Sequence, residues 1–268
     1  MTDVTGVQEQ TTQLVSVQRD GGVATVLMNR PPVNAIAPDL LTAFDAALGE
    51  LGADPEVRVI VVTSAFPRYF MAGADIKMMA SSTPQGGEQA LRTSPFAIVE
   101  RTPKPVIAAI NGHALGGGCE LAMCCDYRLM IDDGRSTIGL TETSLGIIPG
   151  AGGTQRLPRI VGRARALQMI MEGRRITAPE ALQIGLVDAA LPPDEFETAV
   201  QAKAAALAGM ATQALARAKR AVLEGMEMPL SDGLRLEREL FFDVVKTADA
   251  AEGLAAFVEK RPASFTGR

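Results

Sequence analysis

The first part of the chain contains three kinds of apolar pattern. The segment LVSVQRDGGVATVLMN holds two short apolar runs joined at Asp20-Gly21-Gly22, which tolerate a positive φ, and this predicts a β-hairpin. Over residues 38–51 the apolar positions recur with a helical period, which predicts an amphipathic helix. Residues 57–64 form a β-branched run, typical of a strand that is buried on both faces of a parallel sheet.

The same strand signal occurs twice more along the chain, each time after a helical segment. A helical stretch that ends near Glu100 is followed by an apolar run at residues 105–110. A second helix, which opens at the glycines of ALGGGCELAM, is followed by a third strand signal at residues 126–132. Strands that alternate with helices indicate βαβ units, so we expect an α/β fold.

The character of the sequence changes near Asp194. Alanine, leucine, lysine and glutamate dominate from there on, with a break near Gly209 and candidate helix caps at Ser231 and Asp249. We therefore predict an α/β core over residues 1–193 and a helical region over residues 194–268. Helices of this composition pack on a core or on a partner subunit.

Composition and charge argue against several classes of protein. The chain has 268 residues, 47% of them apolar, and a net charge of −5, which argues against a general binder of nucleic acid or anionic membranes. No apolar run approaches the roughly 18–20 residues that span a bilayer, and the first residues are polar. The three cysteines are an odd number without a CxxC pair, so we expect a cytoplasmic, reducing location. The single histidine, His113, is expected to pack rather than to bind metal or serve a Ser-His-Asp triad.

Candidate chemistry begins at two small-residue turns that each precede a helix. Residues 116–118 are three consecutive glycines, followed by a helix that carries Glu120. Glycines let the backbone approach a ligand closely, and the first N–H groups of a helix lack partners, so the turn is a candidate oxyanion site. FMAGADIKMM places a similar turn at Ala72-Gly73-Ala74. Two N–H donors that converge on one carbonyl oxygen form an oxyanion hole, although a glycine run alone also serves tight packing.

A third stretch, GLTETSLGIIPGAGGTQRLPR, adds a second carboxylate. Glu142 lies here in a mostly uncharged segment, just before the glycine-rich turn that starts at Gly150. A glutamate in a loop is also found simply exposed to solvent, so this signal is weak when it is taken alone.

Together these stretches resemble the enoyl-CoA hydratase/isomerase, or crotonase, superfamily. The matching motifs occur in the family's order and cover nearly the whole chain: NRPPVNAI, AGADIK, PVIAAINGHALGGGCELAMCCD, GIIPGAGGTQRLPR and EGLAAFVEKRPASF. The resemblance implies a crotonase-like repeated ββα spiral core over residues 1–193. It also implies that residues 194–268 are a helical trimerisation region that closes the acyl-CoA site, in a homotrimer or a dimer of trimers.

The resemblance assigns a role to each matching position. It implies that Ala74 and Gly117 donate the two N–H groups that hold the thioester oxygen. Glu120 and Glu142 match the catalytic carboxylate pair, and Gly150 matches the glycine that helps position the catalytic water. The positions that match residues binding coenzyme A or closing its channel are Ala35, Ala72, Asp75, Ile76, Lys77, Phe241, Phe257 and Lys260. In some members the last three come from a neighbouring subunit.

The implied activity is that of an enoyl-CoA hydratase, a hydro-lyase that adds water reversibly to a trans-2-enoyl-CoA. Glu120 would activate the water and Glu142 would supply the proton to C2; coenzyme A enters as part of the substrate, and no metal or other cofactor is expected. One alternative is a Δ3,Δ2-enoyl-CoA isomerase, which needs only one carboxylate, or an enzyme of another acyl-CoA reaction in the superfamily, which usually pairs the oxyanion hole with different polar residues. Another is a non-catalytic acyl-CoA-binding protein, which needs neither glutamate. Leu140-Thr141 stand where the hydratases usually have Gln-Pro before the second glutamate.

Overall fold

Strands of the protein form two sheets in a computed structural model that describes residues 13–76 and 95–268. The large sheet has the spatial order β1-β2-β3-β5-β7-β10, and the small sheet has the order β4-β6-β8-β9. The strands of the large sheet are β1 (Val15–Asp20), β2 (Val23–Met28), β3 (Val59–Ser64), β5 (Val106–Ile110), β7 (Tyr127–Ile131) and β10 (Ala189–Leu191). Those of the small sheet are β4 (Tyr69–Met71), β6 (His113–Leu115), β8 (Thr137–Gly139) and β9 (Ile176–Thr177).

From β3 to β8, consecutive strands alternate between the two sheets. β3, β5 and β7 pair in parallel in the large sheet, while β4, β6 and β8 pair in parallel in the small one. Each turn of the chain therefore adds one strand to each sheet. The predicted hairpin is confirmed, since β1 and β2 pair antiparallel with Asp20 opposite Val23. The βαβ prediction had the parallel large sheet right but missed the small sheet, because strands of two or three residues are too short to show a period.

Helices follow or cover the strands. They are α1 (Pro38–Ala53), α2 (Ala97–Arg101), α3 (Gly117–Cys124), α4 (Gly153–Val161), α5 (Arg163–Met171), α6 (Ala178–Gln183), α7 (Pro193–Ala208), α8 (Thr212–Gly225), α9 (Leu230–Val244) and α10 (Ala248–Glu259), together with a 3-10 helix at Glu142–Leu145. In the part of the chain that the structure describes, no helix is long and apolar enough to cross a membrane.

The core lies on both faces of the large sheet. One apolar cluster contains Ile60 and Val62 of β3 with Phe44 of α1 and Leu121 of α3. The second cluster contains the alternate residues of β3 and packs them against Phe196 and other residues of α7. β3 is therefore buried on both faces, as its β-branched sequence predicts.

Polar contacts attach α8 to the core. Lys219 of α8 donates to the Asp126 carboxylate over 2.8 Å and to the Val99 carbonyl over 2.9 Å. Beyond α8, large apolar side chains are exposed, and they include Leu230, Leu234, Phe241, Phe242, Leu254, Phe257 and Val258. α7 packs on the large sheet although the predicted boundary places it with the C-terminal helices. The division at residues 193 and 194 stays a prediction.

The two predicted caps of the C-terminal helices are wrong. Ser231 lies inside the first turn of α9, whose N-cap is Pro229. The N-cap of α10 is Thr247, whose hydroxyl accepts from the backbone N–H of Ala250 over 3.1 Å. Asp249, one residue into α10, instead accepts from the backbone of residues 266 and 267. A long-range contact has therefore taken the carboxylate that the local pattern would use as a cap.

Candidate active site

The glycine run turns the chain sharply from β6 into α3. Gly116 has φ of 54° and ψ of −121°, close to the first central position of a type II′ turn, where a side chain is strained. Its N–H donates to the Gly139 carbonyl at the end of β8 over 2.8 Å. Gly117 opens α3, so its N–H belongs to the first turn, whose donors have no acceptor inside the helix.

Ala74 lies on the neighbouring turn, at the end of a short parallel bridge with Ile36. The bridge uses the Gly73 carbonyl and the Asp75 N–H, which bond to Ile36 over 2.7 and 3.1 Å. The N–H of Ala74, between them, therefore points to the other side of the strand. Gly73 has φ of 96°, and a β-carbon built on it would lie 3.7 Å from the Gly117 nitrogen. The two turns thus lie side by side; that their N–H groups hold one oxygen stays a prediction.

Glu120 lies on the first turn of α3 and is buried, with 2% of its surface exposed. Its Oε1 accepts the backbone N–H groups of Ala151 and Gly153, each over 2.7 Å. Gly153 is the first residue of α4, so the carboxylate also lies at the positive end of that helix. Burial raises the pKa of Glu120, and these two hydrogen bonds and the Arg156 guanidinium partly offset the rise.

Glu142 begins the 3-10 helix that follows β8. A β-carbon built on Gly116 would lie 2.9 Å from its Oε1, and its Oε2 is buried with no hydrogen-bond partner among residues 13–76 and 95–268. Burial raises the pKa of Glu142, and the negative charge of Glu120 raises it further. The two carboxyl groups are thus close enough to interact, on either side of the 116–117 backbone.

The departures from the family pattern around Glu142 have a structural explanation. Leu140, in the position usually held by glutamine, is fully buried. A β-carbon built on Gly153 would lie 2.9 Å from its Cδ1, so Leu140 packs beneath the start of α4. The carbonyl of Thr141 accepts the Ser144 hydroxyl over 2.6 Å inside the 3-10 turn. Apolar packing and a local hydrogen bond hold the segment that carries Glu142.

The glycine-rich loop before α4 contacts Glu120 through residues other than Gly150, the residue that the resemblance assigns to the site. Gly150 itself is exposed, and no atom lies within 4 Å of where its β-carbon would be. The donors to the carboxylate are Ala151 and Gly153. The glycines at the start of a helix were the available signal, but only the fold shows which N–H groups point inward. A role for Gly150 in holding water stays a prediction.

Four of the residues expected at the coenzyme A crevice lie together beside Ala74. They are Ala35, Ala72, Asp75 and Ile76. The N–H of Ala72 donates to the Val33 carbonyl over 3.1 Å, which joins the NRPPVNAI and AGADIK segments. The Asp75 carboxylate faces Arg30 at 3.3 Å, and Ile76 is half exposed. Lys77 lies outside the described residues.

Three predicted residues are on the C-terminal helices or at their ends. Phe241 lies on α9 and Phe257 on α10, and both are largely exposed. Lys260 is exposed at the C-cap of α10. None of the hydrogen bonds or ion pairs seen within the described residues connects them to Glu120 or Glu142. Their expected part in closing the acyl-CoA channel stays a prediction.

His113 has the packing environment that was expected of it. Its Nδ1 accepts the N–H of Thr137 over 3.1 Å, its ring packs on Tyr69, and burial lowers the pKa of the imidazole. All three cysteines are buried and unpaired, and burial raises the pKa of each thiol. Within residues 13–76 and 95–268, no group of three or more His, Cys, Asp or Glu side chains is placed to hold a metal ion.

Comparison with known proteins matches nearly the whole chain to the family that the motifs resemble. Residues 18–268 match the family model described as enoyl-CoA hydratase/isomerase. A probable enoyl-CoA hydratase of Mycobacterium tuberculosis is 40% identical over 96% of this chain and 100% of its own length. The crotonyl-CoA hydratase of Syntrophomonas wolfei is 37% identical over 95% of this chain and 98% of its own.

A solved structure has the same architecture. The crystal structure of an enoyl-CoA hydratase from Bacillus anthracis superimposes with a TM-score of 0.89 at 38% identity, and the match covers 96% of this chain and 100% of that one. The crotonase-like fold that the motifs implied, with its helical C-terminal region, is therefore confirmed. The chain belongs to the enoyl-CoA hydratase/isomerase family.

Proposed function

We propose that the protein is an enoyl-CoA hydratase that adds water reversibly to a trans-2-enoyl-CoA and forms a 3-hydroxyacyl-CoA. The observation that carries the proposal is the placement of Glu120 and Glu142. Both carboxyls have a raised pKa and they interact electrostatically across the turn that presents the Gly117 N–H. An isomerase needs only one proton carrier, and a binding protein gains nothing from two buried carboxyls, which cost stability.

In the proposed mechanism the thioester carbonyl lies against the turns of Ala74 and Gly117. When water attacks C3, negative charge moves along the conjugated system to the thioester oxygen. Two backbone N–H groups that already point at that oxygen stabilise the charge without reorganisation. Gly73 and Gly116 supply the backbone conformations that bring the two turns together.

The two carboxyls then account for the protons. Backbone donors hold Oε1 of Glu120, and its Oε2, 3.8 Å from where a Gly117 β-carbon would be, is the oxygen toward the turn. Glu120 takes a proton from the water whose oxygen bonds to C3, and protonated Glu142 gives a proton to C2. A raised pKa favours the protonated form of Glu142 that this step needs, and proton transfer from Glu120 to Glu142 restores the starting state. The net change is addition of one water.

A direct assay tests the function and separates it from the rivals. Purified protein is treated with a chelator and given trans-2-enoyl-CoA substrates from crotonyl-CoA to hexadecenoyl-CoA, and loss of the enoyl thioester absorbance is followed. We expect hydration without added metal or nucleotide. The 3-enoyl-CoA isomers, tested in parallel, report isomerase activity. Absence of turnover with every 2-enoyl chain length would overturn the hydratase proposal.

The proposal includes a homotrimer, or a dimer of trimers, in the cytoplasm. Support for assembly comes from the large apolar side chains that α9 and α10 expose, since exposed apolar surface is typical of sites that contact another protein. Support for a reducing compartment comes from the three unpaired cysteines. Light scattering tests the assembly: Leu254→Glu together with Val258→Glu is expected to lower the mass, and Leu254→Met is expected to leave it unchanged. A monomeric mass for the native protein would contradict this part of the proposal.

A further inference from the structure

All three guanidinium nitrogens of Arg156, on α4 beside the candidate site, donate hydrogen bonds. Its side chain is only 17% exposed. Nε donates to Oε1 of Glu100 over 2.7 Å and Nη2 donates to Oε2 of the same carboxylate over 2.6 Å. This paired geometry fixes both the direction and the rotation of the guanidinium. The third nitrogen, Nη1, is left to donate to the Ala151 carbonyl over 2.9 Å.

Ala151 connects this ion pair to Glu120. Its carbonyl accepts from Arg156, and its N–H donates to Oε1 of Glu120 over 2.7 Å. The next residue, Gly152, has φ of 105°, and the place where its β-carbon would lie is occupied by Nη1 of Arg156. The loop and the guanidinium therefore fit each other only when residue 152 has no side chain.

We propose that Arg156, held in place by Glu100, is a positioning residue that aims the loop donors of Ala151 and Gly153 at the Glu120 carboxylate and places a positive charge near it. The inference rests on the proposed role of Glu120. It adds a residue that touches neither substrate nor the reacting atoms but acts through the 150–153 loop. α2, which carries Glu100, thereby becomes part of the support of the site.

Two consequences follow from the geometry, and they can be measured separately. Without the guanidinium the Ala151 carbonyl loses its partner, so the loop and the carboxylate are free to shift, and a shift of about 1 Å can cost roughly 10²-fold in rate. Without the positive charge the ionised form of Glu120 is less stable, since the Arg156 cation offsets part of the rise that burial causes in the pKa of Glu120. The elements packed around Glu120 carry these charged and titratable groups: Arg156 and Arg159 on α4, Glu100 and Arg101 on α2, Glu142 on the 3-10 helix, His113 on β6, Tyr69 on β4, and the thiols of Cys119 and Cys124 on α3 itself.

The test compares Arg156→Gln, Arg156→Lys and Glu100→Gln with a matched control, Arg159→Gln. Arg159 is one turn further along α4, is exposed, and pairs with Glu227 at 3.6 Å. For each variant, kcat, KM and the pH dependence of kcat are measured with an enoyl-CoA that the native protein hydrates. Circular dichroism and the Kd for the 3-hydroxyacyl-CoA product are measured on the same preparations.

For Arg156→Gln we expect kcat to fall at least about 10-fold while KM and the product Kd change little. The acidic limb of the pH profile should move to higher pH, because the base must lose its proton without the nearby cation. Arg156→Lys keeps the charge and should restore the position of the limb with only partial recovery of kcat. Arg159→Gln should match the native protein in both measurements.

A native pH profile and a native kcat in folded Arg156→Gln would overturn the inference. If that variant does not fold, Glu100→Gln carries the test, because it keeps the Arg156 cation but removes the ion pair that holds the guanidinium against the Ala151 carbonyl. It should lower kcat without moving the acidic limb, and a native kcat there would also refute the proposal. Failure of the proposed function is distinguishable, since in that case the native protein itself does not hydrate enoyl-CoA.

Discussion

The Glu142 carboxylate lies directly against the backbone of Gly116. A β-carbon on Gly116 would be 2.9 Å from Oε1 of Glu142, and the Gly116 N–H is bonded to Gly139, three residues before that glutamate. The glycine run therefore has two functions in the fold. It turns the chain so that the Gly117 N–H faces outward from α3, and it leaves the space in which the second carboxyl lies.

This contact predicts that Gly116→Ala damages the site more than the fold. The new methyl group meets the Glu142 carboxylate, the end of a side chain that is able to move away, so we expect kcat to fall about 10²-fold as the carboxyl is displaced. The positive φ adds strain and should lower the melting temperature. Gly21→Ala is the control, because Gly21 has φ of 52° but nothing within 4 Å of its β-carbon position. Equal loss of kcat in both variants would contradict the explanation.

A second prediction concerns the Gly117 N–H itself. Proline is favourable at the first position of a helix and removes the N–H, so Gly117→Pro deletes the donor with little cost to α3. A β-carbon at residue 117 would meet Cδ1 of Ile36, so the change is made together with Ile36→Val, which removes that atom. Loss of one oxyanion donor should lower kcat by roughly 10²–10³.

The control for that experiment is Gly117→Ala in the same Ile36→Val background. It adds the β-carbon but keeps the N–H, so its kcat should stay within a few-fold of the Ile36→Val protein. Melting temperature and circular dichroism confirm that both proteins are folded. If the alanine and proline variants lose the same activity, the N–H of Gly117 has no part in the mechanism.

The raised pKa of Glu142 predicts a gain of stability in Glu142→Gln at neutral pH. The native state binds this proton more tightly than the unfolded state, so the stability of the native protein falls as pH rises from the unfolded pKa, about 4.3, through the folded pKa. Glutamine does not ionise, so the variant does not lose stability over this pH range. Its melting temperature should exceed the native one at pH 7.5, by about 2–4 °C for each 1 kcal/mol gained, and the difference should vanish toward pH 4. A lower melting temperature at pH 7.5 would contradict the assignment.

The long, strongly patterned elements were predictable, but the contacts that define the site were only partly so. β3 and α1 follow from a β-branched run and a helical period, each of which is a local signal. The strands of the small sheet are too short to carry one. Likewise, the glycine run at 116–118 indicated a close backbone approach, and the structure shows where: a β-carbon on Gly118 would collide with the Met71 carbonyl.

The groups that hold Glu120 could not be predicted from the local sequence either. The motifs singled out Glu120 and Glu142, but the donors from Ala151 and Gly153 and the support from Arg156 depend on how α3 and α4 meet. No local pattern reports a hydrogen bond between residues more than thirty positions apart. The C-terminal residues Phe241 and Phe257 are largely exposed, and their expected part in closing the acyl-CoA channel stays a prediction.

The paired carboxyls are the central claim, and the steady-state kinetics of Glu120→Gln and Glu142→Gln test it most directly. Glutamine keeps the size of each side chain, and its oxygen is able to accept the bonds that Glu120 receives, so only proton transfer is lost. Each variant should lose about 10²–10⁴-fold in kcat for hydration of the native protein's best enoyl-CoA, with a near-native Kd for the 3-hydroxyacyl-CoA product. Native turnover in either variant, in folded protein, would show that the carboxyl concerned does no catalysis.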